Sequence, residues 1–227
     1  MKRDSMFART VVAGMWCVVS VDPVPWSEAA ARALVPLAEE ALSLSTTVRD
    51  HRDELYRALM YLSLSHNDNA RAAKWSDRWL AELDAIKPRD DEERSAIDIA
   101  RVENIQVFGD PKRILPALLA DERAMPNNYN ASVRVAQMES AVKNYDETIS
   151  ACDRGLARSP GPDVRAWLLN IKADALTHEG NTADARRALE EGLQAAQSIP
   201  VKTMRESYIT TFEKMLGQMK TGAKPAS

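Results

Sequence analysis

The chain has 227 residues, 45% of them hydrophobic and 28% charged, and its 30 Lys and Arg against 33 Asp and Glu give a net charge of −3. This apolar fraction excludes a largely disordered chain, and the length fits one domain or at most two. Without a basic excess, a nucleic-acid partner is not expected. Only 8 Gly and 2 Cys are present, which argues against a glycine-rich phosphate loop or a disulfide scaffold. A helix-rich globular protein remains.

Residues 1–20 have the layout of a secretory signal peptide. A basic start precedes an uncharged run over residues 10–21, and Ser20 is a small residue suited to a cleavage site. The run is too short to cross a bilayer, which needs roughly 20 apolar residues, so no stable membrane span is expected. The prediction is an exported protein, periplasmic or secreted. The alternative is a cytoplasmic protein in which this segment packs on the domain as a strand or helical turn.

Helical periodicity follows from Trp26 onward. Residues 21–49 predict an N-terminal helix packed on the rest of the chain, with Pro36 as a kink or a restart. Two further helices are predicted within residues 50–88, joined by the polar turn cluster at residues 66–69. No segment shows the period-2 alternation of a strand.

The pattern of two helices, a polar turn and a closing proline then recurs. Pro111 is predicted to lie in the first turn of a helix that begins at Asp110, and Pro116 to kink it. The predicted helical pairs occupy residues 50–88, 91–126, 129–160 and 163–200.

The chain ends with one amphipathic helix, predicted for residues 201–220. Its charged residues fall largely off a Met, Phe and Ile stripe, which is typical of a helix that caps the apolar end of a stack. Residues 221–227 are small and polar, and predict a disordered tail. The total is about ten helices.

Several turns carry a recurring motif with a period near 34 residues. Residues 143–148 (KNYDET) and 180–185 (GNTADA) resemble the G-[DN]-Y-x-E-A turn of the tetratricopeptide repeat (TPR) family. Residues 66–72 are a weaker third copy, and residues 109–111 a fourth. The likeness extends over roughly residues 50–200.

The resemblance also concerns positions of close helix approach. Gly155 and Gly192 stand where the family needs a small residue, whereas Trp79 and Asp121 replace it in two other copies. Membership in this family would imply an all-α, right-handed superhelical solenoid of stacked antiparallel helix pairs, closed by the C-terminal capping helix.

What the resemblance implies for function is a non-enzymatic scaffold or adaptor that binds a protein or peptide on its concave face. The first helix of each pair lines that face. Tyr61 and Arg134 are the expected anchors by residue type. The predicted partner-binding residues, which point inward but outside the core, are Arg57, Tyr61, Glu103, Gln106, Arg134, Gln137, Asn170 and Asp174.

No catalytic, cofactor-binding or metal site is predicted, because no metal-ligand spacing or catalytic motif occurs in the sequence. Two other functions stay open. One is a structural subunit of a larger envelope assembly that docks through its convex face or terminal helix. The other is a helical enzyme with a dispersed site that uses Glu103, Gln106 or His178. The sequence predicts no oligomeric state.

Overall fold

The computed structural model describes residues 2–20 and 25–221, and every regular element in these ranges is helical. Eleven α-helices and one 3-10 turn are present there, which confirms the predicted all-α class of packed neighbouring helices. None of the described helices combines the length and apolarity needed to cross a membrane. The link at residues 21–24 and the tail at residues 222–227 lie outside the described residues. The predicted disorder of the C-terminal tail therefore concerns residues that the structure does not describe.

Contacts between helices divide the chain into two compact units, residues 1–110 and residues 111–227. In the first unit α1 packs on α2 and α3, and α3 also packs on α2, α4 and α5. The helix α2 runs without interruption through Pro36. The helices of this unit are α1 (Lys2–Ser20), α2 (Pro25–Ser43), α3 (Arg49–Ser65), α4 (Asn69–Ala85) and α5 (Asp91–Val107).

In the second unit each helix packs on the next, and α9 also contacts α7 and α11. The unit begins with a 3-10 turn at Pro111–Arg113. Its helices are α6 (Leu115–Ala124), α7 (Tyr129–Ala141), α8 (Tyr145–Ala157), α9 (Pro162–His178), α10 (Thr182–Gln197) and α11 (Lys202–Thr221).

The predicted start of α6 was wrong. The helix begins at Leu115 rather than at Asp110, and Pro116 lies in its first turn instead of kinking its interior. A proline is tolerated there because its missing N–H has no intrahelical acceptor. The preceding proline, Pro111, opens the separate 3-10 turn.

One face of α1 is buried in the first unit. Ala8, Val11, Met15 and Val18 are at most 4% exposed, and their spacing of three and four residues places them on a single helix face. This face packs on α2 and α3. Cleavage after Ser20 and export concern the fate of this helix in the cell, and they stay predictions.

Three turns between helices share one backbone geometry. Asn67, Lys143 and Gly180 have φ values of 58°, 61° and 75°, in the left-handed region. In each turn the next N–H donates to the carbonyl five residues back, at 2.9, 3.0 and 2.9 Å respectively, which is the Schellman arrangement. These are the turns at which the sequence motif recurs, so the motif repeats in the backbone as well.

The two glycines predicted to permit close approach do so. A Cβ atom on Gly155 would lie 2.9 Å from Leu168 Cδ1, and one on Gly192 would lie 2.4 Å from Phe212 Cε1. Phe212, on α11, is fully buried. The helix predicted as a cap therefore packs on α10 through this contact and also touches α9.

Candidate functional site

The first unit brings three predicted binding residues together with two that were not predicted. Trp16 Nε1 on α1 donates a hydrogen bond to Glu54 Oε2 on α3 at 2.7 Å. Arg57 Nη1 donates to Glu54 Oε1 at 3.2 Å, and Arg57 Nη2 donates to Glu103 on α5. Tyr61 lies one turn beyond Arg57 on α3. We call Trp16, Glu54, Arg57, Tyr61 and Glu103 the Arg57 cluster.

The charges of the Arg57 cluster are only partly shielded from water. The side chain of Arg57 is 24% exposed, and those of Glu54 and Glu103 are each 36% exposed. Ion pairs at such exposure contribute on the order of 1 kcal/mol or less, so a partner can rearrange them at low cost. One guanidinium faces two carboxylates, which leaves the cluster with a small negative excess.

Aromatic surface borders this ion-pair network. Tyr61 is 40% exposed, and its ring centroid lies 5.9 Å from that of Trp16 with the rings tilted by 54°. On α5, Ile99, Glu103 and Gln106 share one face by their spacing, with Ile99 48% exposed and Gln106 also exposed. Exposed aromatic and apolar groups thus adjoin hydrogen-bonding groups.

Sequence reasoning missed three members of this surface. Trp16 was assigned to the export signal, whereas in the structure its indole N–H is hydrogen-bonded to Glu54 on α3. Glu54 and Ile99 carry no motif. Ile99 could have been found as an apolar residue one helical turn before the predicted contact residue Glu103.

The other four predicted residues lie in the second unit. Arg134 and Gln137 are on α7, and Asn170 and Asp174 are on α9, so the members of each pair share a helix face. Arg134 is only 7% exposed and offers a partner little surface, while the other three are half-buried. The Asn170 amide has a buried Oδ1 atom without a hydrogen-bond partner among the described residues.

The residues considered for an enzyme have other roles in the structure. Glu103 pairs with Arg57. His178 stacks on Tyr145 with ring centroids 4.5 Å apart, and its Nδ1 lies 3.0 Å from the Asp174 carbonyl oxygen. Within the described ranges, no group of three or more His, Cys, Asp or Glu side chains could hold a metal ion.

The thiol of Cys152 is fully buried on α8. Burial raises its pKa to about 12, with the nearby Asp153 carboxylate adding to the effect. The thiol is therefore protonated at neutral pH and behaves as a small apolar side chain.

The second unit also contains a buried carboxylate that joins three helices. Glu122 on α6 is 4% exposed. Arg154 on α8 holds it through Nε and Nη2, each 3.0 Å from a carboxylate oxygen, and Ser132 on α7 donates a further hydrogen bond. Burial by itself would raise the pKa of Glu122, but the hydrogen bonds from Arg154 and Ser132 outweigh it and lower the pKa. The network is structural, since it satisfies its own members.

Comparison with known proteins adds little to this description. No family model matches the chain, and no curated protein matches it in sequence. A solved chain titled MamA AMB-1 is similar to it with a TM-score of 0.47 and 14% sequence identity, over 88% of this chain and 96% of that one. A likeness of this degree does not indicate a function for this chain.

Proposed function

We propose that the protein is a non-catalytic scaffold that binds a protein or peptide partner, and that the Arg57 cluster is its main contact surface in the first unit. The observation behind this proposal is the exposed Tyr61 ring beside Trp16 and the partly exposed Arg57–Glu103 ion pair. Tyr, Trp and Arg are the residue types most enriched at binding hot spots.

The chemistry of this surface suits an extended peptide. The tilted rings of Trp16 and Tyr61 offer an apolar contact. Glu54 and Glu103 accept hydrogen bonds, and the Gln106 amide both donates and accepts. Because the cluster has two carboxylates and one guanidinium, a peptide with a Lys or Arg next to an apolar residue is the most complementary partner.

A photo-reactive phenylalanine analogue tests the proposal when it is incorporated at Tyr61 in the full chain and irradiated in an extract of native cells. We expect a discrete cross-linked species from this position. With the partner then identified, Tyr61→Ala should weaken its binding by about thirtyfold, the loss expected at a hot-spot aromatic residue.

The matched control position is Val48, which is 50% exposed at the start of α3. Cross-linking at Val48, and the effect of Val48→Ala on affinity, should be negligible. Equal cross-linking from both positions, or unchanged affinity of Tyr61→Ala, would overturn the assignment of the surface.

The alternative is a structural subunit that docks through its terminal helix. It is favoured by Val201, before α11, and Met204, in its first turn, which are 53% and 43% exposed. The same analogue placed at Met204 separates the two functions. A cross-linked species from Met204 together with none from Tyr61 would replace the scaffold proposal by this one.

We also propose that the chain is exported, which would affect the same surface. If the signal is cleaved after Ser20, the mature protein lacks Trp16, and Glu54 loses the hydrogen bond that it now accepts. The intact mass of the protein from a secreting host tests this directly. A mass that includes Met1 or Lys2 would rule cleavage out.

A further inference from the structure

The helix α1 lies in a groove that two other helices of the first unit form. It packs on both α2 and α3, and its residues Ala8, Val11, Met15 and Val18 are at most 4% exposed. Their spacings of three, four and three residues are the pattern with which an amphipathic helix fills an apolar groove. The surface of α2 and α3 is therefore shaped to hold one further helix, and α1 shows how such a helix lies.

Two contacts in this groove depend on the particular residues of α1. A Cβ atom on Gly14 would lie 3.3 Å from Leu34 Cδ2 on α2, which is closer than an ordinary van der Waals contact. Two residues later, the Trp16 indole N–H donates to Glu54 Oε2 on α3 at 2.7 Å. The groove thus favours a helix that has a small residue next to Leu34 and a hydrogen-bond donor next to Glu54.

Cleavage after Ser20 would take α1 away and leave this groove open. Apolar side chains that α1 contacts, such as Leu34, would then be exposed to water. Tyr61 would lose the neighbouring Trp16 ring, and Glu54 Oε2 would lose its donor. An exposed apolar patch with polar groups at its edge is the usual mark of an interaction site.

We propose that the α1 groove is a docking site for an amphipathic helix of a partner protein, and that α1 fills it only until cleavage. The partner helix has the pattern of α1: apolar residues at spacings of three and four, a Gly or Ala next to Leu34, and a side-chain donor for Glu54. Because Glu54 also belongs to the Arg57 cluster, the groove borders the surface proposed above and extends it. This inference rests on the proposed export and scaffold function, since α1 leaves the groove only if the signal is cleaved.

The test uses the full chain with a protease recognition sequence inserted between Ser20 and Pro25, so that α1 is cut from a protein that has already folded. A fluorescent peptide of residues 2–20 should then exchange with α1 and bind saturably, as measured by fluorescence anisotropy. The uncut chain should not bind the peptide, because its own α1 fills the groove.

Three outcomes of this experiment would overturn the proposal. The first is no exchange after the cut, because α1 would then never make way for a partner. The second is equal binding of the peptide by the cut and the uncut chain, which would place the peptide outside the groove. The third is a loss of helical circular dichroism greater than one helix accounts for, because no groove would then persist without α1.

Peptide variants separate recognition by the groove from general hydrophobic binding. Gly14→Leu should weaken binding by about thirtyfold, because the new side chain would overlap Leu34. The matched control is Ala13→Leu, which adds the same side chain at an exposed position of α1 and should leave binding unchanged. Trp16→Phe should weaken it by about tenfold through loss of the hydrogen bond to Glu54. Equal effects of the two leucine substitutions would contradict a defined helix groove.

A failure of this inference is distinguishable from a failure of the proposals on which it rests. Absence of peptide exchange overturns the groove, whatever the intact mass of the protein from the secreting host. An intact mass that includes Met1 instead overturns cleavage, and with it the replacement of α1 by a partner helix, even when the peptide exchanges. Cross-linking from Tyr61 tests the scaffold function separately from both.

Discussion

The two units fill one equivalent packing position with side chains of opposite size. Trp79 and Gly192 each lie twelve residues after the left-handed residue of their turn. Trp79 is 1% exposed and stacks on Tyr56 of α3, with ring centroids 6.2 Å apart and planes 10° apart. At Gly192 the ring of Phe212 from the following helix fills the space instead.

In both units this position lies at a buried contact between helices, although the residue that occupies it differs in size. Trp79 turns back onto its own partner helix, where its indole N–H donates to Asp53 Oδ1 at 2.7 Å, and α4 packs on α5 less extensively than α10 on α11. Gly192 leaves the volume to Phe212 on α11. A glycine draws the next helix close, whereas a tryptophan makes the contact within the pair.

Truncation of the large side chain should have the largest effect. Trp79→Ala removes the stacking with Tyr56 and the hydrogen bond to Asp53 Oδ1, so we expect a loss of about 4 kcal/mol in the free energy of unfolding. Denaturant titration measures the loss, and hydrogen exchange should place it in α3 and α4. A loss below about 1 kcal/mol would mean that the position is not a packing centre in the first unit.

A substitution at Gly192, the equivalent position in the second unit, should act by overpacking. Gly192→Ala should destabilise α10 and α11 by about 2 kcal/mol, even though alanine favours a helix by up to about 1 kcal/mol. Phe212→Leu in the same chain should recover part of this loss by making room for the new methyl group. A Gly192→Ala protein more stable than the parent would contradict the close approach.

Two carboxylates, one in each unit, have pKa values shifted in opposite directions. Burial raises the pKa of Asp53 in the first unit, because a neutral indole N–H and the nearby Arg49 only partly compensate it. In the second unit, Arg154 and Ser132 hold the pKa of Glu122 below its usual value. Acid therefore has opposite effects through these two groups.

Glu122 should make the second unit sensitive to acid. A lowered native pKa gives a stabilisation that is present above the unfolded value of 4.5 and lost as the pH falls through the native pKa. Glu122→Gln should cost about 2 kcal/mol near pH 7 and flatten the loss of stability of α6–α8 that the parent shows as the pH falls below 4.5. Hydrogen exchange across this range provides the measurement.

The control for this prediction is Asp53→Asn. The raised pKa of Asp53 means that its charge opposes folding as the pH rises, so the variant should not reduce acid sensitivity. Glu139 in the second unit also has a pKa raised by burial. The parent's pH dependence of stability therefore contains more than one group, and the effect of Glu122 is measured as the difference in pH dependence between Glu122→Gln and the parent. An unchanged pH dependence in Glu122→Gln would contradict the assignment.

Much of the helical fold could be read from the sequence because its signals are local. Glycine, asparagine and proline indicate the turns in the sequence. Gly155 and Gly192 were predicted from the sequence to permit close helix approach, and the structure shows that approach at both. The start of α6 was missed because both Pro111 and Pro116 are compatible with a first helical turn, and only tertiary packing selects between them.

The candidate site was less predictable, for a physical reason. The pairing of Arg57 with Glu103 joins residues that are 46 positions apart, and no local pattern encodes it. Trp16 enters the surface only because α1 packs on α3.

The smallest expected effects concern the turns, and they isolate the backbone from the packing. Lys143 and Gly180 occupy the same left-handed position, where a side chain costs roughly 1 kcal/mol. Lys143→Gly should therefore stabilise the protein by about this amount, and Gly180→Ala should destabilise it similarly. Because a Cβ at Gly180 would meet no atom within 4 Å, the loss at Gly180 would come from the backbone conformation alone. Asn67→Gly should change stability less than Lys143→Gly, because asparagine tolerates this conformation. Equal and negligible shifts in all three melting temperatures would show that these turns relax to another geometry in solution, and the shared Schellman turn would then no longer explain the recurring motif.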